Sequence, residues 1–160
     1  MDLPECIETE EALDELLTRP REELVRFIPQ VRSPLVILGA GGKMGPSLAV
    51  LARRAAQAAG HRLEIIAVSR FSNPQTRHWL EAHEVRTQPC DLFDPAALRA
   101  LPDAEHVLFL VGYKFGTSEN PSLTWATNTL VPARVAERYA AARIVALSTG
   151  NVYPHSPVAA

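Results

Sequence analysis

The chain has 160 residues, of which 47% are hydrophobic and 21% are charged, which suits one soluble globular domain with a core of its own. Its net charge of −2 excludes a strongly basic field that would recruit nucleic acid or an anionic membrane. Met1–Glu5 lacks the start of a signal peptide, and no apolar run approaches the roughly 20 residues of a membrane helix. Cys6 and Cys90 have no spacing that pairs them, so we expect a reduced, cytoplasmic location.

Residues 1–33 form an acidic leader. Residues 1–32 hold 9 of the 18 acidic and 4 of the 16 basic residues, which leaves the remainder mildly basic. Thr9 is predicted to cap a first helix, and Pro20 to open a second. The apolar positions recur at helical spacing and are Leu13, Leu16, Leu17, Leu24, Val25 and Ile28. This spacing favours a leader that packs on the domain over one that is only an interaction segment.

Residues 34–160 are predicted to form one domain in which short apolar strands alternate with helices. The predicted strands are Leu35–Leu38, Leu63–Ser69, Val85–Cys90, His106–Val111 and Ile144–Ser148. The predicted helices are Pro46–Ala59, Asn73–His83 capped by Asn73, Asp94–Leu101 capped by Asp94, and Pro121–Ala141. Pro132 should kink or interrupt the last of these. Continuous apolar strands between helices are typical of a parallel sheet covered on both faces, a doubly wound α/β fold.

The loop after the first of these strands is the most informative motif. Gly39, Gly42 and Gly45 form the pattern G-x-x-G-x-x-G, and Gly41 also allows a G-x-G reading, while Lys43 and Met44 complete the loop. Strand, glycine turn and helix in this order predict a helix N-terminus that holds the pyrophosphate of a dinucleotide. The alternative is a turn with a purely structural role.

The end of the second strand bears on the choice of dinucleotide. A carboxylate at this point binds the ribose hydroxyls of NAD, whereas an arginine accommodates the 2′-phosphate of NADP. This chain has Ser69 and Arg70 there, and no acid before Glu81. We therefore expect NADP to be preferred over NAD.

Several motifs in chain order resemble the extended short-chain dehydrogenase/reductases, the NAD(P)-dependent epimerase/dehydratase family. Besides the glycine loop, the matching positions are Asp91 and Leu92 after the third strand, Val111 and Gly112 after the fourth, Asn128 in the long helix, and Thr149 in the segment Ser148–Pro154. The resemblance implies a Rossmann fold, cofactor contacts from these positions and a catalytic hydroxyl at Thr149. It also implies a small-molecule substrate, with a nucleotide sugar or polyol as candidates, and leaves a homodimer open.

The resemblance implies hydride transfer assisted by a tyrosine whose pKa is lowered by a lysine four residues later. This chain has no Y-x-x-x-K, because Tyr113, Tyr139 and Tyr153 are followed four places later by threonine, arginine and proline. The family would place the pair beyond Ala160. We therefore expect a C-terminally truncated, cofactor-binding part that does not turn over substrate alone.

Two other functions stay open. A non-enzymatic NADP-sensing regulator of the same fold would need no tyrosine and lysine pair. A dehydrogenase of the ketopantoate or prephenate type can carry a similar glycine loop, although it has no need for the hydroxyl segment after Ala146. No metal site is expected, because His78 and His83 diverge on a helix and have no adjacent third ligand. The loop from Tyr113 to Thr117 is an open candidate for contact with nicotinamide or substrate.

Overall fold

The computed structural model describes residues 4–113 and 119–148, and its centre is a five-stranded parallel sheet. The strands are β1 (Leu35–Leu38), β2 (Ile65–Ser69), β3 (Arg86–Pro89), β4 (His106–Phe109) and β5 (Arg143–Ala146). Their spatial order is β3-β2-β1-β4-β5, and all four neighbouring pairs are parallel. The predicted doubly wound α/β fold is confirmed. The strand order reverses at β1, so a crevice is expected at the carboxyl ends of β1 and β4.

Helices cover both faces of the sheet. They are α1 (Glu10–Leu17), α2 (Glu22–Phe27), α3 (Gly45–Ala58), α4 (Pro74–Ala82), α5 (Pro95–Arg99), α6 (Pro121–Trp125) and α7 (Val131–Arg138). One buried cluster joins alternate residues of β1 and β2 to α3 and α4. A second cluster joins the other residues of these strands to α5 and α7. The two clusters make a three-layer domain whose sheet is buried on both sides near β1 and β2.

Local signals in the sequence set most of the helix starts. The side chains of Thr9, Asn73 and Asp94 accept backbone N–H bonds at the starts of α1, α4 and α5, so these three predicted caps are confirmed. Pro20 does not open the second helix. Instead, α2 begins at Glu22 with Arg21 as its capping position.

The leader packs against the domain through its second half. A short 3₁₀ turn at Ile28–Gln30 follows α2, and Ile28 and Val31 are buried in the cluster that contains α3. Arg54 of α3 also forms an ion pair with Glu15 of α1. The apolar positions of α1 are less covered than the helical spacing predicts, because Leu17 remains 49% exposed.

Pro132 interrupts the long helix as predicted. A π-helical turn, Ala126–Leu130, separates α6 from α7, and the Val131 N–H bonds to the Ala126 carbonyl five residues back. Proline has no N–H for the carbonyl four residues back, which here belongs to Asn128, and its ring would crowd that carbonyl. The wider turn relieves this conflict and places Asn128 opposite the loop after β4. In the described ranges, no helix is long and apolar enough to cross a bilayer.

Candidate functional site

The carboxyl edge of the sheet brings together the ends of β1, β2 and β4. The Gly39 N–H and the Ala40 N–H both bond to the Val68 carbonyl, at 2.9 and 3.1 Å. The Leu110 N–H bonds to the Leu38 carbonyl at 2.9 Å. These bonds tie the glycine loop to strands on both sides of it, so the loop lies at the switch point of the sheet.

Gly39 is required by its own conformation and by a close neighbour. Its φ of 85° lies in the left-handed region that favours glycine. A Cβ built there would lie 2.9 Å from Val111 Cγ2 and 3.0 Å from the Val111 nitrogen. Val111, which we predict to line the cofactor, therefore forms one wall of the crevice at the tip of β1.

Gly41 makes room for Ser69. A Cβ on Gly41 would lie 2.5 Å from Ser69 Oγ, so the end of β2 occupies the space that a side chain would take. The Ser69 carbonyl also accepts the Cys90 N–H at 2.9 Å, which fixes Ser69 against the end of β3. The sequence pattern marks Gly41 as part of the motif, but it does not show that the nearby Ser69 side chain is the reason for a glycine at this position.

Gly45 and Gly42 differ in what surrounds them. A Cβ on Gly45 would lie 2.5 Å from both Cα and the carbonyl oxygen of Ala40, so this glycine lets α3 pack closely on the end of β1. A Cβ on Gly42 would have the Gly39 oxygen as its nearest atom, at 3.4 Å, and the residue is exposed. Its missing side chain is not needed for packing. A Cβ at this position would meet no other atom within 4 Å.

The start of α3 has free capacity for an anion. Its capping position, Met44, makes no side-chain hydrogen bond, and the first turn has no acidic residue. By contrast, α1, α4, α5 and α6 are each capped by their own side chain, and α2 has two glutamates in its first turn. The helix α7 also lacks both features, but it continues directly from the π-helical turn. The first-turn amides of a helix have no partner within the helix and carry partial positive charge. A phosphate would satisfy them.

The backbone amides nearer to β1 already donate hydrogen bonds within the protein. Those of Gly39 and Ala40 bond to Val68, and that of Gly42 bonds to the Gly39 carbonyl at 3.1 Å. The Leu48 N–H of α3 bonds to the Met44 carbonyl, and Pro46 has no N–H. Any pyrophosphate is therefore left to the other amides further along the loop and at the start of α3. This places the predicted anion site slightly later in the chain than the tip of β1. Lys43 and Met44 lie in this part of the loop and are exposed.

The remaining positions on the adenosine side follow β2 and β3. Arg70 is exposed directly after β2. The carboxylate of Asp91 accepts the Phe93 N–H at 3.0 Å and so shapes the turn after β3. Leu92 is 8% exposed and packs in the second core cluster. The structure thus leaves Arg70 and Asp91 at the surface of this edge, while Leu92 anchors the turn.

Asn128 fixes the loop after β4. Its Oδ1 accepts the Tyr113 N–H, and its Nδ2 donates to the Tyr113 carbonyl, both at 2.9 Å. A Cβ on Gly112 would lie 3.9 Å from Asn128 Oδ1. The amide is therefore engaged with backbone, which suits a residue that positions the loop next to the crevice. The resemblance predicts Asn128, but the contact with Tyr113 is visible only in the structure.

Some predicted positions are not among those that the structure describes. Thr149 and residues 114–118 of the loop after Tyr113 lie outside the described residues. Among the described residues, no three His, Cys, Asp or Glu side chains gather closely enough to hold a metal ion.

A depression in the described part of the chain lies elsewhere on the domain. Its volume is about 610 Å³, and its lining includes Ser33, His61 and Glu105. These residues precede β1, β2 and β4, so the depression lies at the amino edge of the sheet. Ligands of open α/β sheets bind at the opposite edge, which is why the glycine loop remains the candidate site.

Comparison with known proteins identifies the family of the chain. The family model described as "NAD dependent epimerase/dehydratase family" matches residues 35–159. A comparison with curated proteins finds no match. The family match confirms the resemblance inferred from the glycine loop and the later motifs.

Solved structures show the same fold. Helicobacter pylori ADP-L-glycero-D-manno-heptose-6-epimerase is similar with a TM-score of 0.67 and 17% identity, over 81% of this chain and 43% of that chain. A short-chain type dehydrogenase/reductase from Mycobacterium marinum is similar with a TM-score of 0.55 and 15% identity, over 74% of this chain and 53% of that chain. The chain thus spans about half the length of these proteins.

Proposed function

The chain belongs to the NAD dependent epimerase/dehydratase family, and on that basis we propose that this domain binds NADP in preference to NAD at the carboxyl edge of its sheet. A nicotinamide dinucleotide is the cofactor that the family implies. The observation that carries the proposal is the start of α3, which has neither a side-chain cap nor an acidic first turn. Gly42 precedes this start by three residues, is exposed, and would place a Cβ near no atom but the Gly39 oxygen.

Different residues of the chain bind different parts of the dinucleotide. The first-turn amides of α3 receive the pyrophosphate, and Gly42 allows it to approach. Val111 and Gly39 wall the crevice, and Asn128 holds the backbone of Tyr113 beside it. Arg70 offers a planar, permanently charged group at the end of β2, which suits the 2′-phosphate of NADP. The absence of an acid at this point supports NADP over NAD.

The reaction and the substrate are part of the same proposal. When bound, a nicotinamide supplies or accepts a hydride. We assign Thr149 as the hydroxyl that orients the substrate oxygen, and a nucleotide sugar or related polyol as the substrate. The H. pylori enzyme, an epimerase of an ADP-linked heptose by its name, supports this substrate class. Because the chain has no Y-x-x-x-K, turnover requires a general acid from elsewhere.

Assembly and location complete the proposal. Trp125 at the end of α6 is 70% exposed, and Leu130 at the end of the π-helical turn is also exposed. Exposed aromatic side chains are enriched in protein interfaces, which supports a homodimer. Light scattering would then report twice the mass of the chain. The free Cys6 and Cys90 thiols suit the reducing conditions of the cytoplasm.

Titration of the 160-residue chain with NADP⁺ and NAD⁺ tests cofactor binding, and Arg70→Asp tests the preference. We expect Arg70→Asp to weaken NADP⁺ by about 10-fold to 100-fold, since a hydrogen bond to a charged group contributes about 1.5–3 kcal/mol. NAD⁺ affinity should change little. Arg62→Asp is the matched control, because Arg62 is also exposed but precedes β2 at the opposite edge. Equal effects on both dinucleotides would reject the role of Arg70.

A second candidate is a non-enzymatic NADP-sensing regulator of the same fold. Such a protein would need the binding edge but no general acid. The test is turnover of a panel of nucleotide sugars by a preparation that binds NADP⁺, with and without an added polypeptide that contains a Y-x-x-x-K. No turnover in either case would support the regulator. Turnover with the added polypeptide would support the enzyme.

A further inference from the structure

We propose that Phe71 is a positioning residue that holds Arg70 in place for the 2′-phosphate of NADP. The inference rests on the proposed function and goes further, because it assigns the selectivity of the site to a residue that does not itself meet the phosphate. The observation behind it is the backbone of Phe71, whose φ of 50° is in the left-handed region. A bulky residue rarely adopts this conformation, and it persists only where the surroundings enforce it.

Three contacts hold this turn. The Phe71 N–H makes a long hydrogen bond, 3.5 Å, to Ser69 Oγ. The Phe71 ring packs against the core cluster that contains α3. Its Cδ1 also lies 3.8 Å from the point where a Cβ on Gly41 would stand. The ring therefore fills a gap between the glycine loop and the core.

Arg70 lies between two fixed neighbours. On one side, Ser69 is held by the Cys90 N–H on its carbonyl and lies in register with Pro89 of β3. On the other side, the Phe71 ring is half-buried. The Arg70 side chain is exposed, but its backbone is anchored at both ends. A long charged side chain that starts from a fixed backbone loses less freedom when it binds an anion.

The glycine loop does not depend on the ring in the same way. Ser69 Oγ and Ser69 Cβ lie 2.5 and 3.1 Å from the Cβ position of Gly41, closer than the ring at 3.8 Å. Ser69 therefore continues to support the loop when the ring is removed. Because NAD has no 2′-phosphate, loss of the ring should affect NADP alone.

Phe71→Gly is the decisive variant, because glycine accepts the left-handed backbone and removes only the ring. In isothermal titration of the 160-residue chain, we expect NADP⁺ to bind about threefold to tenfold more weakly, the effect of ordering one more long side chain on binding. The NAD⁺ affinity of Phe71→Gly should stay within about twofold of that of the original chain. The variant Phe71→Tyr should keep the NADP⁺ affinity of the original chain, since it keeps an aromatic ring. The compounds 2′,5′-ADP and 5′-AMP differ in the same 2′-phosphate, so Phe71→Gly should weaken the binding of 2′,5′-ADP and leave that of 5′-AMP nearly unchanged.

Glu84→Gly is the matched control. Glu84 has the other positive φ among the described non-glycine residues, 58°, and lies after α4. Its replacement relaxes a left-handed turn elsewhere and also removes its contacts with Arg53 and Gln57. Because these two residues lie in the second half of α3, away from its start, both affinities should stay unchanged. If Phe71→Gly loses cooperative thermal unfolding, Phe71→Asn carries the same test, because asparagine also tolerates this conformation.

The outcomes separate the two proposals. If the original chain binds neither dinucleotide, the proposed function fails. If it prefers NADP⁺ but Phe71→Gly weakens both dinucleotides equally, or neither, the role of Phe71 is overturned while the proposed function stands. If the original chain binds both dinucleotides equally, the selectivity of Arg70 and the role of Phe71 are both rejected.

Discussion

Replacement of Gly42 by alanine should weaken dinucleotide binding and leave the fold intact. Gly42 has no positive φ, and a Cβ there would meet only the Gly39 oxygen, at 3.4 Å. The loop can therefore accept a methyl group with little adjustment. On the outer side, the same methyl group would stand between an incoming phosphate and the amides that lead into α3.

The magnitudes follow from these surroundings. We expect Gly42→Ala to change the free energy of unfolding by less than about 0.5 kcal/mol, as for surface substitutions without a packing role. Loss of one amide bond to a phosphate, at about 1.5–3 kcal/mol, should weaken dinucleotide binding by about 10-fold to 100-fold. Titration calorimetry gives the dissociation constant, and thermal unfolding without ligand gives the stability.

Gly45→Ala is the matched comparison, because its Cβ would lie 2.5 Å from backbone atoms of Ala40. Overpacking of this kind costs about 1–3 kcal/mol. For a domain of this size, each 1 kcal/mol lowers Tm by about 2–4 °C. If Gly42→Ala unfolds as early as Gly45→Ala, the glycine at position 42 is structural and the reasoning is wrong. A stable Gly42→Ala that still binds dinucleotide normally would equally refute it.

Two further predictions concern the loop after β4 and the buried thiol. Asn128→Ala removes both hydrogen bonds to the Tyr113 backbone. At about 0.5–1.5 kcal/mol for each bond, it should cost about 1–3 kcal/mol of stability, with faster amide exchange at Tyr113; unchanged exchange would contradict the bonding. Burial, with smaller contributions from Asp91 and Asp94, raises the pKa of the Cys90 thiol, so the native thiol stays protonated at neutral pH. The unfolded chain loses this proton at a lower pH than the native protein does. The free energy of unfolding therefore falls as pH rises from the unfolded pKa through the native pKa. Iodoacetamide at about pH 8 should therefore modify Cys6 at least about 10-fold faster than Cys90, and equal rates by mass spectrometry would be inconsistent with the buried position.

Local patterns predicted the elements of this fold because the signals are short in range. Asn73 and Asp94 cap helices through bonds to an amide two residues later, so the relevant atoms are adjacent in the sequence. The apolar run Leu35–Leu38 is buried in full, as expected of a central parallel strand. Pro132 acts on the carbonyl four residues back, which is also local.

The details of the candidate site depend on contacts between distant residues. Ser69 fills the space beside Gly41, and Asn128 bonds to Tyr113, fifteen residues away. Neither contact leaves a periodic pattern. The left-handed conformation of Phe71 was also unpredictable, because its residue type disfavours it and only packing imposes it. The glycine pattern could mark the loop but not which glycine is structural.

The burial of Ile28 and Val31 has a consequence for anyone who wishes to shorten this protein. A shortened domain that begins just before β1 would keep every residue of the glycine loop, yet it would lose two of the buried side chains that pack with α3. The resulting hollow would be lined by aliphatic side chains and open to water, which invites aggregation. Grafting the loop into another scaffold therefore requires either these two leader residues or substitutes of similar volume.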